Sequence, residues 1–531
     1  MGCHRRVRRG APGRQDLPSD QRGTRLIRDQ APEESLDEAD IALFRAAASA
    51  RRERKQAAEK HPATRLTPHS RVLSLSFVPG DKHVRPFVRL AGLITVLAVA
   101  ASTPALGQNR KFGTVRDAEI ENIIRDYATP IFIAAGLDSG VVEVHLVNDA
   151  RLNAFVAGGQ RIFINTGLLM RAKGPEEVIG VIAHETGHIA GGHLTRFKDE
   201  LRNAETTSII ALLAGLAAGI ATGDGRVAGA IVGGGSDVAR TNLLKYSRTQ
   251  ESAADAAALQ YLDASGISAR GLLNFFQMLQ REVRITGGRE HPYLSTHPLT
   301  NDRIAAISGH LALSRFANAP IAEDLARKHA YMRAKLIGFM EPLKTTLRFY
   351  PLDRNDIPAR YARAIGHYRN ADLKTALPKV DALIAEQPDN PYFQELKGQM
   401  LLENGRVADS LVPYTRMVEL APREPLLRVA LGKAQVESGQ AEMLQPALEN
   451  LQAAVRMDPQ MREAWRLLTV VNGRLGNQGN LALAQAEYRL LGGDVKAAKA
   501  LAERAINILP TGAPGWLRAQ DILSETERRL E

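Results

Sequence analysis

The stretch His184-Glu185-Thr186-Gly187-His188 holds two histidines four positions apart, with a glutamate directly after the first. Residues four apart lie on one face of an α-helix, so both imidazoles can converge on one cation such as zinc. The carboxylate of Glu185 lies about 100° further around the helix, where it can pass a proton from a metal-bound water to a leaving amine. Apolar neighbours predict a buried helix, and the stretch predicts half of a zinc peptidase site. Two purely structural histidines are the alternative interpretation.

The third metal ligand separates the classes of zinc peptidase. In one class a histidine follows the second ligand by six residues, but Leu194 stands there and His193 lies one residue short. One residue along a helix is a rotation of about 100°, so we exclude that class. His193 is then interpreted either as a histidine that supports a ligand from behind or as a surface residue.

An alanine-rich stretch at residues 248–258 offers the other common solution, a carboxylate from a later helix. Glu251 and Asp255 are four apart and share one helical face. We expect Glu251 to bind the zinc and Asp255 to accept a hydrogen bond from the far nitrogen of a ligand histidine, which fixes its tautomer. The alternative is two surface acids on a solvated helix.

The two histidines, their glutamate and the later acid pair resemble the gluzincin peptidases of the HtpX and CAAX prenyl-protease type, over about residues 113–309. The resemblance implies that His297, in a His-Pro element, approaches the metal and that Arg303 lies near the active site. It also implies a strand pair at residues 153–167, one edge of which binds the peptide substrate as an added strand. The candidate substrate-strand residues are Phe155, Gly158 and Gly159.

Length and charge indicate an enzyme with a second part attached. A chain of 531 residues is too long for one core and suggests two to four domains. The formal charge is +11, but the first 107 residues hold 19 basic and 11 acidic residues, which leaves 50 and 47 for the rest. Because the remainder is nearly neutral and shows no basic stripe with interleaved aromatic residues, nucleic-acid binding is not expected.

The N-terminal region predicts export. The apolar run Leu90–Ala101 follows basic residues and precedes small ones, which is typical of a secretory signal. We assign residues 81–107 to this signal and residues 1–80 to a disordered extension outside the native protein, with translation starting near Val72 or Val84. The mature protein would then lie in the periplasm, and it would lack cysteine because the single cysteine is Cys3.

A hydrophobic segment lies between the two halves of the predicted metal site, at residues 208–235. Its apolar run is too short to span a bilayer comfortably. By similarity to soluble relatives, we favour a hairpin that touches the membrane or covers the site. A true membrane span and an ordinary buried helix are the alternatives.

The C-terminal region carries a repeat, in which four prolines each follow a small residue by twelve positions. These pairs are Ala376 with Pro388, Ser410 with Pro422, Ala447 with Pro459, and Ala498 with Pro510. The first two prolines are 34 residues apart, the tetratricopeptide period. The later intervals predict an irregular array with an extra helix near residues 481–491. Stacked helix pairs build a concave surface suited to a protein partner, whereas a generic helical bundle is the alternative.

The predicted fold is an α+β zinc metallopeptidase domain at residues 108–345, mainly helical with a small sheet, followed by an all-α tetratricopeptide solenoid at residues 346–531. This order resembles a group of periplasmic proteases that act in outer-membrane protein quality control. The resemblance implies one zinc per chain, polypeptide substrates and contact with the outer-membrane assembly machinery. A chaperone-like or scaffold protein whose zinc site is latched is the alternative, and His297 would be the latch if its imidazole takes the fourth position on the metal.

Overall fold

The computed structural model describes residues 113–193, 237–286 and 292–531. Three predictions fall outside these residues: the extension at 1–80, the export signal at 81–107 and the hydrophobic segment at 208–235. Within the described ranges, no helix combines the length and the apolar character needed to cross a membrane.

A four-stranded sheet lies in the first domain. Its strands are β1 (Thr114–Val115), β2 (Glu143–Val147), β3 (Ala154–Ala157) and β4 (Arg161–Asn165), in the spatial order β1-β2-β4-β3. β2 and β4 run parallel, and the other pairings are antiparallel. The turn between β3 and β4 contains Gly158 and Gly159, whose φ values of 62° and 101° strain any other residue. Because β3 pairs only with β4 among the described residues, it is an edge strand of the sheet.

Seven helices of the described residues complete this domain. They are α1 (Ala118–Ala134), α2 (Thr166–Arg171), α3 (Pro175–Ala190), α4 (Asp237–Ala264), α5 (Arg270–Thr286), α6 (Pro292–Thr296) and α7 (Asn301–Leu313). α3 begins with Pro175, which suits the first turn because no intrahelical partner is needed for its nitrogen there. Apolar side chains of α1, α3 and the inner face of the sheet form one core, including Ile124, Val181 and Ile162.

Two glycines let α3 approach its neighbours closely. A Cβ atom at Gly187 would lie 2.7 Å from the backbone oxygen of Ala254 in α4, and one at Gly180 would lie 2.7 Å from the backbone nitrogen of Leu272 in α5. Side chains at these positions would push the helices apart, so glycine permits both contacts. The contact at Gly187 places the acidic face of α4 beside the histidines of α3.

An all-helical array follows. Its helices are α8 (Glu323–Met340), α9 (Leu343–Phe349), α10 (Ile357–Arg369), α11 (Leu373–Glu386), α12 (Pro391–Glu403), α13 (Val407–Leu420), α14 (Pro425–Glu437), α15 (Leu444–Met457), α16 (Arg462–Arg474), α17 (Gln478–Leu491), α18 (Val495–Ile508) and α19 (Pro514–Leu530), with a 3₁₀ turn at Ala441–Met443. Successive helices from α10 onward pack in pairs joined by short turns. The prediction of a mainly helical α+β domain followed by an all-α part is confirmed.

The repeated prolines and small residues occupy equivalent positions relative to four helices. Each of the four prolines stands two residues after the end of a helix, namely α11, α13, α15 and α18. Each small residue has no exposed surface. The helix expected near residues 481–491 is α17. The predicted domain boundary between residues 345 and 346 falls within α9 and stays a prediction.

The start of α1 is buried against the array. Ala118 packs in one apolar cluster with residues of α12, α13 and α14, which include Leu402, Tyr414, Met417 and Leu427. Asn122 donates hydrogen bonds to Tyr392 Oη (3.1 Å) and Glu424 Oε2 (2.7 Å). Part of the surface of the array is therefore covered by α1 of the same chain.

A buried charge cluster strengthens this junction. Lys335 Nζ in α8 lies 2.8 Å from Asp117 Oδ2, 3.3 Å from Glu119 Oε2 and 3.2 Å from Glu395 Oε2 of α12. Tyr361 in α10 donates a hydrogen bond to Glu119 Oε2 at 2.9 Å. The ammonium group of Lys335 therefore forms ion pairs with three carboxylates, two near the start of α1 and one in α12.

Candidate metal centre and active site

α3 carries three predicted site residues into the interior. His184 and Glu185 have no exposed surface, and the side chain of His188 is 12% exposed. The Nε2 atoms of His184 and His188 lie 3.1 Å apart. Both imidazoles therefore point at the same space, as residues four apart on one helix should.

α4 brings Glu251 to the same space. Its Oε2 lies 3.3 Å from His184 Nε2, and its Oε1 lies 3.3 Å from His188 Nε2. The approach of α4 to α3 at Gly187 makes these contacts possible. The structure thus brings the three predicted metal ligands together.

His297 joins this group from the turn after α6. Its Nδ1 lies 3.0 Å from Glu251 Oε1 and 3.4 Å from His184 Nε2, while its Nε2 lies 3.5 Å from Glu185 Oε1. The imidazole therefore stands between the predicted ligands and the predicted base. This is the position that a latch would need.

Asp255 and Arg303 lie behind the ligands. Asp255 Oδ1 is 2.8 Å from Nδ1 of His184, the nitrogen that faces away from the ligand cluster. Arg303 donates to both oxygens of Asp255 at 2.6 and 2.8 Å, and its Nη1 lies 2.9 Å from Glu251 Oε2. The resemblance implied only that Arg303 lies near the site; the structure shows that it bridges two site carboxylates.

Burial and neighbouring charges move the pKa values of these residues in different directions. Burial alone would lower the pKa of His184, but hydrogen bonds to Asp255 and Glu251 raise it to about 9. Burial lowers the pKa of His188 to about 3. Burial also raises the pKa of Glu185, although His297 opposes this shift. The carboxylates of Asp255 and Glu251 therefore favour a positive charge at His184.

The residues present fit a metal ion. Among the described residues, both oxygens of Glu185 are buried and accept no hydrogen bond. Ligand atoms of His184, His188, Glu251 and His297 all lie within 4.8 Å of one another. Buried acceptors without donors are costly, and imidazoles with a carboxylate are the donor set of catalytic zinc sites.

The predicted substrate-binding strand is β3, which packs against α3 and α6 beside this cluster. Phe155 projects from β3 and stacks on Phe163 of β4, with ring centroids 5.1 Å apart. Gly158 and Gly159 form the turn that ends β3. The edge strand thus lies next to the site, and its role in substrate binding stays a prediction.

Three further residues lie around the site, and of these only His193 was interpreted from the sequence, either as a support for a ligand or as a surface residue. The ring of Tyr293 stacks on His297 with centroids 4.7 Å apart, and the ring of Phe276 lies 4.7 Å from the Arg303 guanidinium. His193 is buried, and its Nδ1 lies 3.0 Å from Nδ1 of His188. Tyr293 stands four residues before His297, which is a signal that the sequence offered.

Comparison with known proteins agrees with this arrangement. Residues 114–311 match the model of Peptidase family M48, and with the site described above they form a metallopeptidase domain of that family. The similarity to two relatives covers more of the chain than this domain. The Beta-barrel assembly-enhancing protease of Yersinia pestis is 26% identical over 365 residues, which is 66% of this chain and 71% of that protein. The protein of the same name from Escherichia coli strain K12 is 24% identical over 382 residues, or 69% of this chain and 75% of its own.

Among solved structures, a crystal structure of MamA aligns with 32% of this chain and 95% of its own, at 18% identity and a TM-score of 0.24. At that score no common fold is established.

Proposed function

We propose that this chain is a zinc-dependent endopeptidase, with one zinc per chain, that degrades misfolded or stalled proteins of the cell envelope. The observation that carries the proposal is the carboxylate of Glu185. It is fully buried, neither oxygen accepts a hydrogen bond among the described residues, and its Oε1 lies 3.5 Å from Nε2 of His297, which belongs to the cluster of four potential metal ligands. A general base needs an oxygen that is free to accept a proton, and the pKa of this carboxyl group, which burial raises, favours proton uptake.

The chain's own residues divide the work of peptide hydrolysis. His184, His188 and Glu251 would hold zinc, which when bound supplies a Lewis acid that activates water. Glu185 takes the proton of the attacking water at its carboxylate and releases it to the nitrogen of the leaving amine. Asp255 holds the His184 ring from behind, and Arg303 holds Asp255.

The edge strand β3 supplies a way to bind substrate that does not depend on sequence. Main-chain hydrogen bonds to the edge at residues 154–157 would align an extended polypeptide beside α3. Phe155 would contact substrate side chains on one face of the added strand, while Gly158 and Gly159 keep the turn compact. Unfolded segments can adopt this extended form, whereas folded domains cannot.

Two relatives are named for enhancing β-barrel assembly, and on that basis we propose outer-membrane protein quality control in the periplasm as the setting. We propose that the array is a tetratricopeptide domain that binds protein partners, and that the assembly machinery of outer-membrane proteins is among them. Contact with the membrane surface through residues 208–235 remains part of this proposal.

A second candidate function is a chaperone-like or scaffold protein whose metal site is rarely catalytic. The position of His297 favours it, because its Nδ1 stands within 3.0 Å of Glu251 and 3.4 Å of His184. An imidazole there competes with water for the position beside Glu185.

The substitution Glu185→Gln tests the proposal. It should abolish cleavage of an unfolded polypeptide such as casein while metal analysis still finds one zinc per chain. Glu176→Gln, in the first turn of the same helix, serves as the control and should cleave at the normal rate. Unchanged cleavage by the Glu185→Gln variant would refute the proposal that Glu185 is the general base of a peptidase. Full complementation of a deletion strain by that variant would instead favour the scaffold.

A further inference from the structure

The two histidines of α3 differ in what supports them from behind. Nδ1 of His184 faces the carboxylate of Asp255 at 2.8 Å. Nδ1 of His188 faces a second imidazole instead, with Nδ1 of His193 at 3.0 Å. The two rings are nearly perpendicular, at 79°, with centroids 5.0 Å apart. His193 is only 7% exposed, so this contact is shielded from solvent.

The local backbone is shaped to hold this imidazole. α3 ends at Ala190, and Gly192 turns the chain with a φ of 62°. A Cβ atom at Gly191 would lie 2.5 Å from Nε2 of His193, so a side chain there would displace the ring. The two glycines thus return the chain to α3 and leave room for His193 against His188.

The position of one proton follows from the geometry. Nε2 of His188 faces Glu251 and His184 in the ligand cluster. A metal ligand must offer a lone pair, so the proton of a neutral His188 ring must be on Nδ1. Two nitrogens 3.0 Å apart share one hydrogen bond, and the acceptor is then the lone pair of His193 Nδ1.

We propose that His193 is a positioning residue for metal binding, which accepts the hydrogen bond from His188 Nδ1 and so fixes the tautomer and the direction of that ring. This inference rests on the proposed zinc site. Partners of ligand histidines commonly contribute about 10–100-fold in metal affinity. His193 plays for His188 the part that Asp255 plays for His184, but with a neutral acceptor.

The experiment compares zinc dissociation constants of the purified full-length chain and its variants, measured by competition with a chromophoric chelator. His193→Leu keeps the bulk but removes the acceptor, and we expect zinc affinity to fall by about 10–100-fold. His193→Asn places an amide oxygen near the position of Nδ1, and we expect affinity within about 3-fold of the unaltered chain. His367→Leu, which removes a histidine of the array that contacts Asp372, is the matched control and should change nothing.

Thermal unfolding with excess chelator shows whether each metal-free variant folds. Unchanged zinc affinity in His193→Leu would overturn the inference. A loss in His193→Asn as large as in His193→Leu would also overturn it, because packing and not the hydrogen bond would then be responsible. If His193→Leu does not fold, the comparison of His193→Asn with His193→Ala decides in the same way. Failure of the unaltered chain to bind zinc would contradict the proposed function first.

Discussion

Arg303 and Asp255 form a two-pronged ion pair in the interior, with Nε to Oδ2 at 2.6 Å and Nη2 to Oδ1 at 2.8 Å. Both side chains are at most 5% exposed. The pair ties the start of α7 to α4, and through Asp255 it reaches His184 on α3. Three helices that are distant in sequence therefore meet through one guanidinium.

Removal of this guanidinium should destabilise the fold. Arg303→Gln leaves two buried carboxylates without their cation, and breaking a buried pair in this way costs about 3–5 kcal/mol. Arg327→Gln removes an exposed ion pair with Asp324 and should cost less than about 1 kcal/mol. Urea unfolding with excess chelator measures both. Equal stability of the two variants would show that the buried pair contributes nothing beyond a surface one.

Zinc should stabilise the folded chain. Because the ligand cluster exists only when α3 and α4 are packed, zinc at about 100 times its dissociation constant should add about 2.7 kcal/mol to the free energy of unfolding. Calorimetry with zinc or with a chelator measures this difference. Glu251→Ala removes one ligand and should lose most of the response. A response of equal size in that variant would place the zinc elsewhere.

Loss of the imidazole beside Glu185 should release activity. We expect His297→Ala to raise turnover of an unfolded substrate about 3- to 10-fold, as when an open form populated to some 10–30% becomes dominant. Initial rates at saturating substrate measure this. A His297→Ala variant no more active than the unaltered chain would count against the latch.

The junction between the peptidase domain and the array should weaken as the pH rises. Burial and the nearby Asp117 and Glu119 raise the pKa of Glu395 to about 7, although Lys335 opposes the shift. A carboxyl group whose pKa is raised on folding favours the folded state at low pH. Its contribution is complete below about pH 4.5 and is lost as the pH rises through about 7.

Glu395→Gln should therefore flatten the pH dependence of stability between pH 5 and 8. The Glu395 side chain is 20% exposed, so we expect its contribution to the pH dependence of the free energy of unfolding to be about 1–2 kcal/mol. Urea unfolding at several pH values measures the difference from the unaltered chain. Glu419→Gln, at an exposed position of α13, is the control and should follow the unaltered chain. An identical pH profile in Glu395→Gln would exclude this group as the cause.

Local periodicity was sufficient to predict which site residues share a face within α3 and within α4. His184 and His188 form one helical repeat, and Glu251 and Asp255 form another, so each pair shares a face wherever the helix lies. His297 and Arg303 have no such spacing, because their positions depend on how α6 and α7 pack. Only resemblance to a family indicated them.

Helical spacing does not predict the position of a residue that lies beyond the end of the helix. His193 is out of phase with His188 on a continuous helix, yet the chain turns at Gly191 and Gly192 and brings it back. The junction of α1 with the array was missed for a related reason. A buried residue such as Ala118 gives no sequence signal of its partner, which lies some 300 residues away.

The seat of α1 against the array sets a limit on dissection of the protein. A fragment ending at residue 345 would uncover Ala118 and leave Lys335 without its contact to Glu395. Apolar and charged groups of α1, the helix that packs against α3, would then be exposed to solvent. The activity of an isolated peptidase domain would then reflect a destabilised fold. Activity should therefore be measured on the intact chain.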